Sequence, residues 1–136
     1  HITLAVRDFG ERGNTQNSDF LKRASLIENI NIERNIANVP EFLARQDVVI
    51  LPPKNEKATM AIPLVALEAA YAGCKVLTAD LPSLRELERV GITQTFKDKD
   101  NLIAILREQA ISQESTTKNL PEGILTVKNF VDRITL

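Results

Sequence analysis

The sequence predicts an α/β fold in which a doubly wound parallel sheet has helices on both of its faces. Short aliphatic runs alternate with amphipathic runs along the chain, which is the pattern of strand–helix units joined by right-handed crossovers. Hydrophobic residues make up 43% of the 136 residues, whereas aromatic residues make up only 4%. The core must therefore be aliphatic, as in parallel sheets that are buried on both faces. The length is sufficient for one domain with one core.

Five short segments are predicted to be strands. Three are continuous aliphatic and β-branched runs that end at turn residues, which is typical of buried strands. One segment alternates apolar and polar residues, which favours an edge strand. In chain order the predicted strands cover residues 2–6, 30–36, 47–51, 75–79 and 94–96.

The segments between these strands carry apolar residues at helical spacing. Ser18 is expected to cap the first helix. Pro63 should begin the third helix and Gly73 should end it. Ser83, with Glu86 three residues later, predicts a capping box for the fourth. The predicted helices cover residues 19–29, 40–46, 63–72, 84–90 and 101–110, and a last amphipathic segment covers 125–136.

The composition excludes several classes of function. The net charge of −1 provides no basic surface for nucleic acid. His1 is the only histidine and Cys74 the only cysteine, so no histidine- or cysteine-based metal site is expected, and no cofactor. We expect Cys74 and Tyr71 to be packing residues, and Asp80 to be a turn former without a chemical role. No apolar run approaches the roughly 20 residues that span a bilayer, and a reducing cytoplasmic setting is expected.

Two carboxylates lie where a parallel sheet would bind a ligand. Ligands of doubly wound sheets bind beyond the carboxyl ends of the strands. Glu56 lies in the loop that follows the third strand, and Glu68 lies in the helix that this loop enters. The neighbours of Glu68 in sequence are all apolar, and a carboxylate among such residues is costly without partners. Ribose hydroxyls could be those partners, but so could a backbone amide or lysine of the fold, or solvent.

The region from Asp47 to Asp80 resembles the donor-binding signature of retaining glycosyltransferases with the two-domain GT-B architecture, the glycogen synthase-like family. The matching residues are Asp-Val-Val-Ile-Leu-Pro-Pro at 47–53, Glu56, and Pro-Leu-Val-Ala-Leu-Glu-Ala-Ala-Tyr-Ala-Gly-Cys-Lys-Val at 63–76. Residues 81–87 and 98–106 are similar to two further elements of that family. The resemblance implies a Rossmann-like half-domain that lacks its first strand–helix unit, within a larger enzyme.

The resemblance also implies roles for individual residues. Glu68 would bind the ribose of a nucleotide-diphosphate sugar, and Glu56 would contact the sugar that is transferred. Arg7, Lys54 and Lys57 are local cations that could substitute for the diphosphate-binding basic pair, although an ordinary solvated charge is the favoured interpretation of each. The loop amides that would bind the diphosphate and the sugar are those of Met60, Ala61, Ile62, Leu64 and Val65.

The activity implied is hexosyl transfer from the nucleotide sugar to an acceptor held by a missing N-terminal domain. The chain alone would be inactive, its catalytic residues are unknown, and no metal is implied. The resemblance leaves room for peripheral membrane association of the parent enzyme.

The loop between the two glutamates departs from the family pattern. Eleven residues separate Glu56 from Glu68, which is more than the family usually has, and strict register places Met60 where the family has its first glutamate. The glycines of that loop are also missing. Either Glu56 folds back to the sugar, or the sugar contact is absent.

Two other functions remain open at this point. One is a degenerate glycosyltransferase-like domain kept for assembly or regulation, because the altered loop lacks the family's glycines. The other is an α/β signalling module such as a receiver domain. A receiver needs an acidic cluster after its first strand and an aspartate at the end of its third. This chain has Arg7-Asp8 and Pro52-Pro53 there, which counts against the receiver.

Overall fold

The computed structural model describes residues 2–6, 14–58 and 63–112. The chain forms two compact units, His1–Phe42 and Leu43–Leu136. Every strand pairing in the described residues is parallel. The α/β class and the parallel pairing are therefore confirmed. The strands form one sheet of two strands and one of three, whereas the sequence predicts a single doubly wound sheet.

The first unit contains strand β1 (Ile2–Val6), helix α1 (Asn14–Ser25) and strand β2 (Ile30–Arg34). Helix α2 (Val39–Ala44) includes the boundary between the two units, which lies after Phe42. Strand β1 pairs with β2 along its whole length, from Ile2 opposite Ile30 to Val6 opposite Arg34. The side-chain oxygen of Asn38 accepts the Glu41 N–H at 3.2 Å, which is the hydrogen bond of a helix N-cap.

Helix α1 and strand β2 do not have their predicted bounds. Helix α1 covers Asn14–Ser25 rather than residues 19–29, so Ser18 lies inside the helix and is not its N-cap. Strand β2 ends at Arg34 rather than at residue 36 because Asn35 has a φ of 50°. That left-handed conformation turns the chain out of the extended path, and Asn tolerates it better than most residues.

The second unit is a three-stranded sheet with the order β3-β4-β5. Strands β3 (Val48–Leu51), β4 (Lys75–Ala79) and β5 (Gln94–Phe96) alternate with helices α3 (Leu64–Tyr71), α4 (Arg85–Arg89) and α5 (Lys99–Ser112). Two short 3₁₀ turns, Glu56–Ala58 and Pro82–Leu84, precede α3 and α4. The predicted bounds of β4 and β5 are confirmed. The segment predicted at 125–136 lies outside the described residues.

The core of the second unit forms around the central strand. Leu77 of β4 is fully buried and clusters with Phe96 of β5 and Ile105 of α5. Successive side chains of a strand point to opposite faces of the sheet. Val76 and Thr78, also buried, therefore lie on the face opposite to α5. Helix α3 contacts β3 and β4.

Helices α3 and α4 end in the same glycine motif. Gly73 and Gly91 have φ values of 84° and 76°, which glycine adopts without steric cost. After α3, Gly73 N–H donates to Ala70 O at 3.0 Å and Cys74 N–H donates to Ala69 O at 2.9 Å. This paired pattern is the Schellman motif, which satisfies carbonyls at the end of a helix. It reverses the chain directly into β4, as the sequence predicts for Gly73.

Candidate functional site

The candidate site lies at the carboxyl edge of the three-stranded sheet. Because β3, β4 and β5 are parallel, the segments that follow them lie along the same edge. The pairing of β4 with β5 continues one residue past the strand, where Asp80 N–H donates to Phe96 O at 2.9 Å. This bond places Asp80 at the edge and fixes the direction in which the chain leaves the sheet.

Glu56 extends from the segment after β3 to the segment after β4. It begins the first 3₁₀ turn, which Asn55 stabilises by accepting the Lys57 N–H at 3.0 Å. The Glu56 carboxylate accepts the backbone N–H of Ser83 through Oε1 at 3.3 Å. Both Glu56 and Lys57 are exposed. This predicted site residue therefore lies over the edge of the sheet, near the end of β4.

Ser83 does not cap a helix as the sequence predicts. It lies within the second 3₁₀ turn, and α4 begins two residues later, with Leu84 at the N-cap and no side-chain capping bond. Glu86 instead accepts a hydrogen bond from Arg89 at 2.8 Å. The Oγ of Ser83 is buried and has no hydrogen-bond partner in the described part of the chain. The capping box fails because Pro82 starts a tighter turn one residue before Ser83.

Asp80 and Arg85 form an ion pair that the sequence prediction missed. The Arg85 Nε donates to Asp80 Oδ1 at 2.8 Å and its Nη2 donates to Oδ2 at 3.3 Å. The Arg85 guanidinium lowers the pKa of Asp80 below its ordinary value, to which the charge of Lys97 adds, while Asp80 raises the pKa of Arg85. A carboxylate five residues before an arginine, across a proline turn, is the pattern that could have indicated the pair.

The start of α3 has backbone amides without a helical acceptor. Pro63 precedes the helix and provides no side-chain cap. The first intrahelical bond starts at Ala66, whose N–H donates to Pro63 O at 2.9 Å. The amides of Leu64 and Val65 precede that bond and have no carbonyl partner within the helix. These two predicted donors are thus at a helix start, where partial positive charge favours an anion.

Glu68 lies on the outer face of α3. Its side chain is exposed, together with those of Leu64 and Tyr71, which are 63% and 70% exposed, whereas Ala66 and Ala69 are buried. The apolar residues that flank Glu68 in sequence therefore do not enclose its carboxylate. The expectation that Tyr71 is a packing residue is wrong. Both results follow because a helical period of 3.6 residues places positions 64, 68 and 71 on one side.

The Glu68 carboxylate has no hydrogen bond or ion pair with any residue that the structure describes. Within the described residues it is therefore not part of an ion pair, which was one alternative for it. An exposed carboxylate without partners can accept ligand hydroxyls at no cost of breaking a bond within the protein. As far as the described residues go, its carboxylate is open to a ligand or to solvent.

Four predicted site residues lie outside the described residues. These are Arg7, Met60, Ala61 and Ile62. In the described ranges, no group of three or more His, Cys, Asp or Glu side chains could hold a metal ion. Cys74 is buried and its thiol donates to the Leu43 carbonyl at 3.1 Å, so its predicted packing role is confirmed. None of the helices within these ranges is long and apolar enough to cross a bilayer.

No protein-family model, curated protein or solved structure matches this chain.

Proposed function

We propose that this chain is the donor-binding part of a retaining glycosyltransferase, a Rossmann-like half-domain of the two-domain GT-B type. The proposal rests on the resemblance of residues 47–80 to the donor-binding signature and on the parallel β3-α3-β4 arrangement of those residues. The single observation that carries it is this parallel arrangement, which puts Glu68 in the second turn of the helix that follows β3. The outward position of the Glu68 side chain counts against a closed cradle around its carboxylate.

The proposed role of Glu68 is to bind the ribose of a nucleotide-diphosphate sugar. Two vicinal hydroxyls can both donate to one carboxylate, which accepts through two oxygens. The amides of Leu64 and Val65, one turn before it, would donate to the diphosphate. The helix dipole adds about 0.3–1 kcal/mol for an anion at that end. The same helix thus offers groups for the sugar of the nucleotide and for its phosphates.

The proposed reaction is transfer of the hexosyl group to an acceptor hydroxyl. The bond between the anomeric carbon and the diphosphate oxygen breaks, and the nucleoside diphosphate leaves with the electron pair. The acceptor oxygen forms the new glycosidic bond, and its proton passes to the leaving diphosphate, so that atoms and charge balance. The contribution of this chain would be electrostatic, because amides and a cation such as Lys57 stabilise the charge that develops on the leaving diphosphate. A partner domain would hold the acceptor, so the chain alone should not catalyse transfer.

The proposed setting is the cytoplasm, where a reduced cysteine such as Cys74 is ordinary. The exposure of Glu68 implies an open site rather than a closed pocket. Water competes for hydrogen bonds at an open site, so we expect weak binding by this chain alone.

Titration with UDP, GDP and their sugars tests the proposal. Glu68→Ala should weaken nucleoside-diphosphate binding by about 1–3 kcal/mol, which is the range for lost hydrogen bonds to a charged group. That corresponds to a loss of roughly 5- to 150-fold in affinity. Isothermal titration calorimetry measures it. Glu28→Ala is the matched control, because Glu28 is also an exposed carboxylate but lies far from α3 in sequence.

A degenerate domain is the alternative outcome of this titration. It is favoured by the Glu56 carboxylate, which bonds to Ser83 within the chain, and by the missing glycines of residues 57–62. Negligible binding of every nucleotide would refute the donor-binding proposal and support a domain kept for assembly or regulation. Equal losses in Glu68→Ala and Glu28→Ala would refute the specific role of Glu68.

A further inference from the structure

The bond between Glu56 and Ser83 joins two loops that are distant in the chain. The two residues are 27 positions apart, and their atoms are 3.3 Å apart. Local turn chemistry does not produce such a contact. It forms because β3 and β4 are neighbouring parallel strands, from Val48 opposite Lys75 to Leu51 opposite Thr78. The segments that leave the ends of these two strands therefore start side by side.

The Ser83 amide is available because of the turn in which it lies. Leu84 N–H donates to Leu81 O at 2.9 Å and closes the 3₁₀ turn. Pro82 has no N–H. Ser83 is thus the only residue of this turn whose amide points outward without a backbone acceptor in the described residues. A carboxylate is the strongest acceptor among side chains for such an amide.

The backbone from which the Glu56 side chain starts is also held by a hydrogen bond. Asn55 accepts the Lys57 N–H and holds the backbone of the first 3₁₀ turn, so the Glu56 side chain starts from a fixed position. Only its Oε1 is used by Ser83. The second oxygen, Oε2, has no partner in the described part of the chain and is directed to solvent with the rest of this exposed residue. Oε1 is therefore held by the Ser83 amide, and Oε2 can accept a hydrogen bond from a ligand.

We propose that Ser83 is a positioning residue for Glu56: its backbone N–H holds the carboxylate over the end of β4, where Oε2 accepts a hydroxyl of the transferred sugar. This inference rests on the proposed function. It explains how the chain tolerates eleven residues between Glu56 and Glu68. The bond to Ser83 holds Glu56 at the exit of the neighbouring strand, so Glu56 makes the sugar contact although it is out of strict register with the family.

The chain offers a matched pair of substitutions for the amide. Ser83→Pro removes the N–H while keeping a φ suitable for a 3₁₀ turn. Ser83→Ala keeps the N–H and removes only the buried Oγ, which has no partner within the described ranges. Loss of an unsatisfied hydroxyl is nearly neutral for stability. Glu56→Ala removes the acceptor and serves as the second variant if Ser83→Pro folds poorly.

The first experiment measures the hydrogen bond between the Ser83 amide and the Glu56 carboxylate, and it needs no ligand. Amide hydrogen exchange of Ser83 in the wild-type chain should be roughly fivefold slower than in Glu56→Ala, the ratio expected for one hydrogen bond. Glu86→Ala is the control, because it removes a carboxylate three residues away that bonds to Arg89 instead, and it should leave the rate unchanged. Equal Ser83 exchange in the wild type and Glu56→Ala would overturn the inference.

The second experiment separates positioning from general stability. A nucleoside diphosphate and its sugar conjugate are titrated against each variant. Ser83→Pro and Glu56→Ala should lose roughly tenfold in affinity for the nucleotide sugar and nothing for the nucleoside diphosphate, while Ser83→Ala keeps both affinities. A merely structural role would weaken both ligands together.

The outcomes distinguish this inference from the proposed function. If the wild type binds no nucleotide, the proposed function fails, and with it the sugar contact of Glu56. If the wild type binds both ligands but Ser83→Pro and Glu56→Ala lose neither or both equally, the positioning role fails while the proposed function stands.

Discussion

At the scale of single residues, three carboxylates of the second unit have three different environments. Glu68 is exposed without a partner in the described residues, Glu56 accepts one backbone amide, and Asp80 pairs with the Arg85 guanidinium through both oxygens. Their availability for a ligand falls in that order. An ion pair and a bidentate geometry occupy Asp80 fully, whereas Glu68 would give up only water. This difference supports Glu68 and Glu56, rather than Asp80, as ligand groups.

The Asp80–Arg85 pair predicts a pH dependence of stability. Arg85 holds the pKa of Asp80 below its ordinary value of 3.8. A lowered pKa in the folded chain stabilises it above the unfolded value, and that contribution is lost as the pH falls from 3.8 through the lower folded pKa. Asp80→Asn should therefore unfold at lower urea than the wild type at neutral pH, and the difference should disappear in acid.

The effect should be small because the Arg85 side chain is more than half exposed and solvent screens such pairs. Urea denaturation across this pH range measures it, and high salt should reduce the neutral-pH difference. A difference between the wild type and Asp80→Asn that is constant from neutral to acid pH would contradict the ion-pair explanation.

At the scale of elements, both helices that lead back into the three-stranded sheet end in a Schellman motif. For α4, Gly91 N–H donates to Glu88 O at 2.9 Å and Ile92 N–H donates to Leu87 O at 2.9 Å. Leu87 and Ile92 are both buried, which is the apolar contact that accompanies this motif. Each glycine therefore ends a helix and turns the chain toward the next strand of the sheet.

Substitution of Gly91 should lower the stability of the fold through backbone strain and not through a steric clash. A Cβ at this position would meet nothing within 4 Å, and the φ is +76°. Gly91→Ala should therefore destabilise the chain by about 1–2 kcal/mol, the cost of a left-handed conformation for a residue with a Cβ. Gly91→Asn should cost less, because Asn adopts this conformation more readily. Urea denaturation of both variants checks this, and an Ala variant as stable as the wild type would disprove it.

At the scale of the whole molecule, each compact unit has its own parallel pairing. In the second unit the buried side chains converge on β4, which is paired on both sides. Among the described strands, β3 is paired on one side only, and Ile50 remains 38% exposed. The buried side chains in the described part of this unit therefore centre on β4 rather than on β3.

Substitution of one buried and one exposed leucine tests whether the core of this unit centres on β4. Leu77→Ala should destabilise the chain by about 2–5 kcal/mol, because it opens a cavity at a fully buried position. Leu64→Ala removes the same atoms from a side chain that is 63% exposed, and it should change stability by no more than about 0.5 kcal/mol. Both are measured as free energies of unfolding in urea. Similar values for the two variants would show that Leu77 is not the centre of the core.

Much of the fold could be predicted from local signals. The bounds of β4 and β5 are confirmed, and α3 lies between Pro63 and Gly73 as predicted. The helix α1 is less predictable because its first turn is polar and carries no proline or clear cap. It starts at Asn14 instead of residue 19. Short-range chemistry therefore predicts elements well where glycine and proline mark their ends.

The candidate site was predictable only in part. The resemblance selected Glu56 and Glu68 from the residues alone, but it did not predict that Glu68 faces outward with Tyr71. Which side of a helix faces the sheet depends on where the crossover places it, and the mostly apolar α3 has too little polar contrast to indicate this in advance.

The sequence by itself determined the alternation of strands and helices and the glycine turns, because these depend on interactions within a few neighbouring residues. The parallel pairing class follows from that alternation, because a helix between two strands returns the chain to the same end of the sheet. Only the tertiary structure decided that Glu56 meets Ser83 and that Arg85 takes both oxygens of Asp80. The contact of Glu56 with Ser83 depends on which strands are neighbours and in what register. That information is in no local stretch of the chain, because strand pairing joins residues that are far apart in sequence.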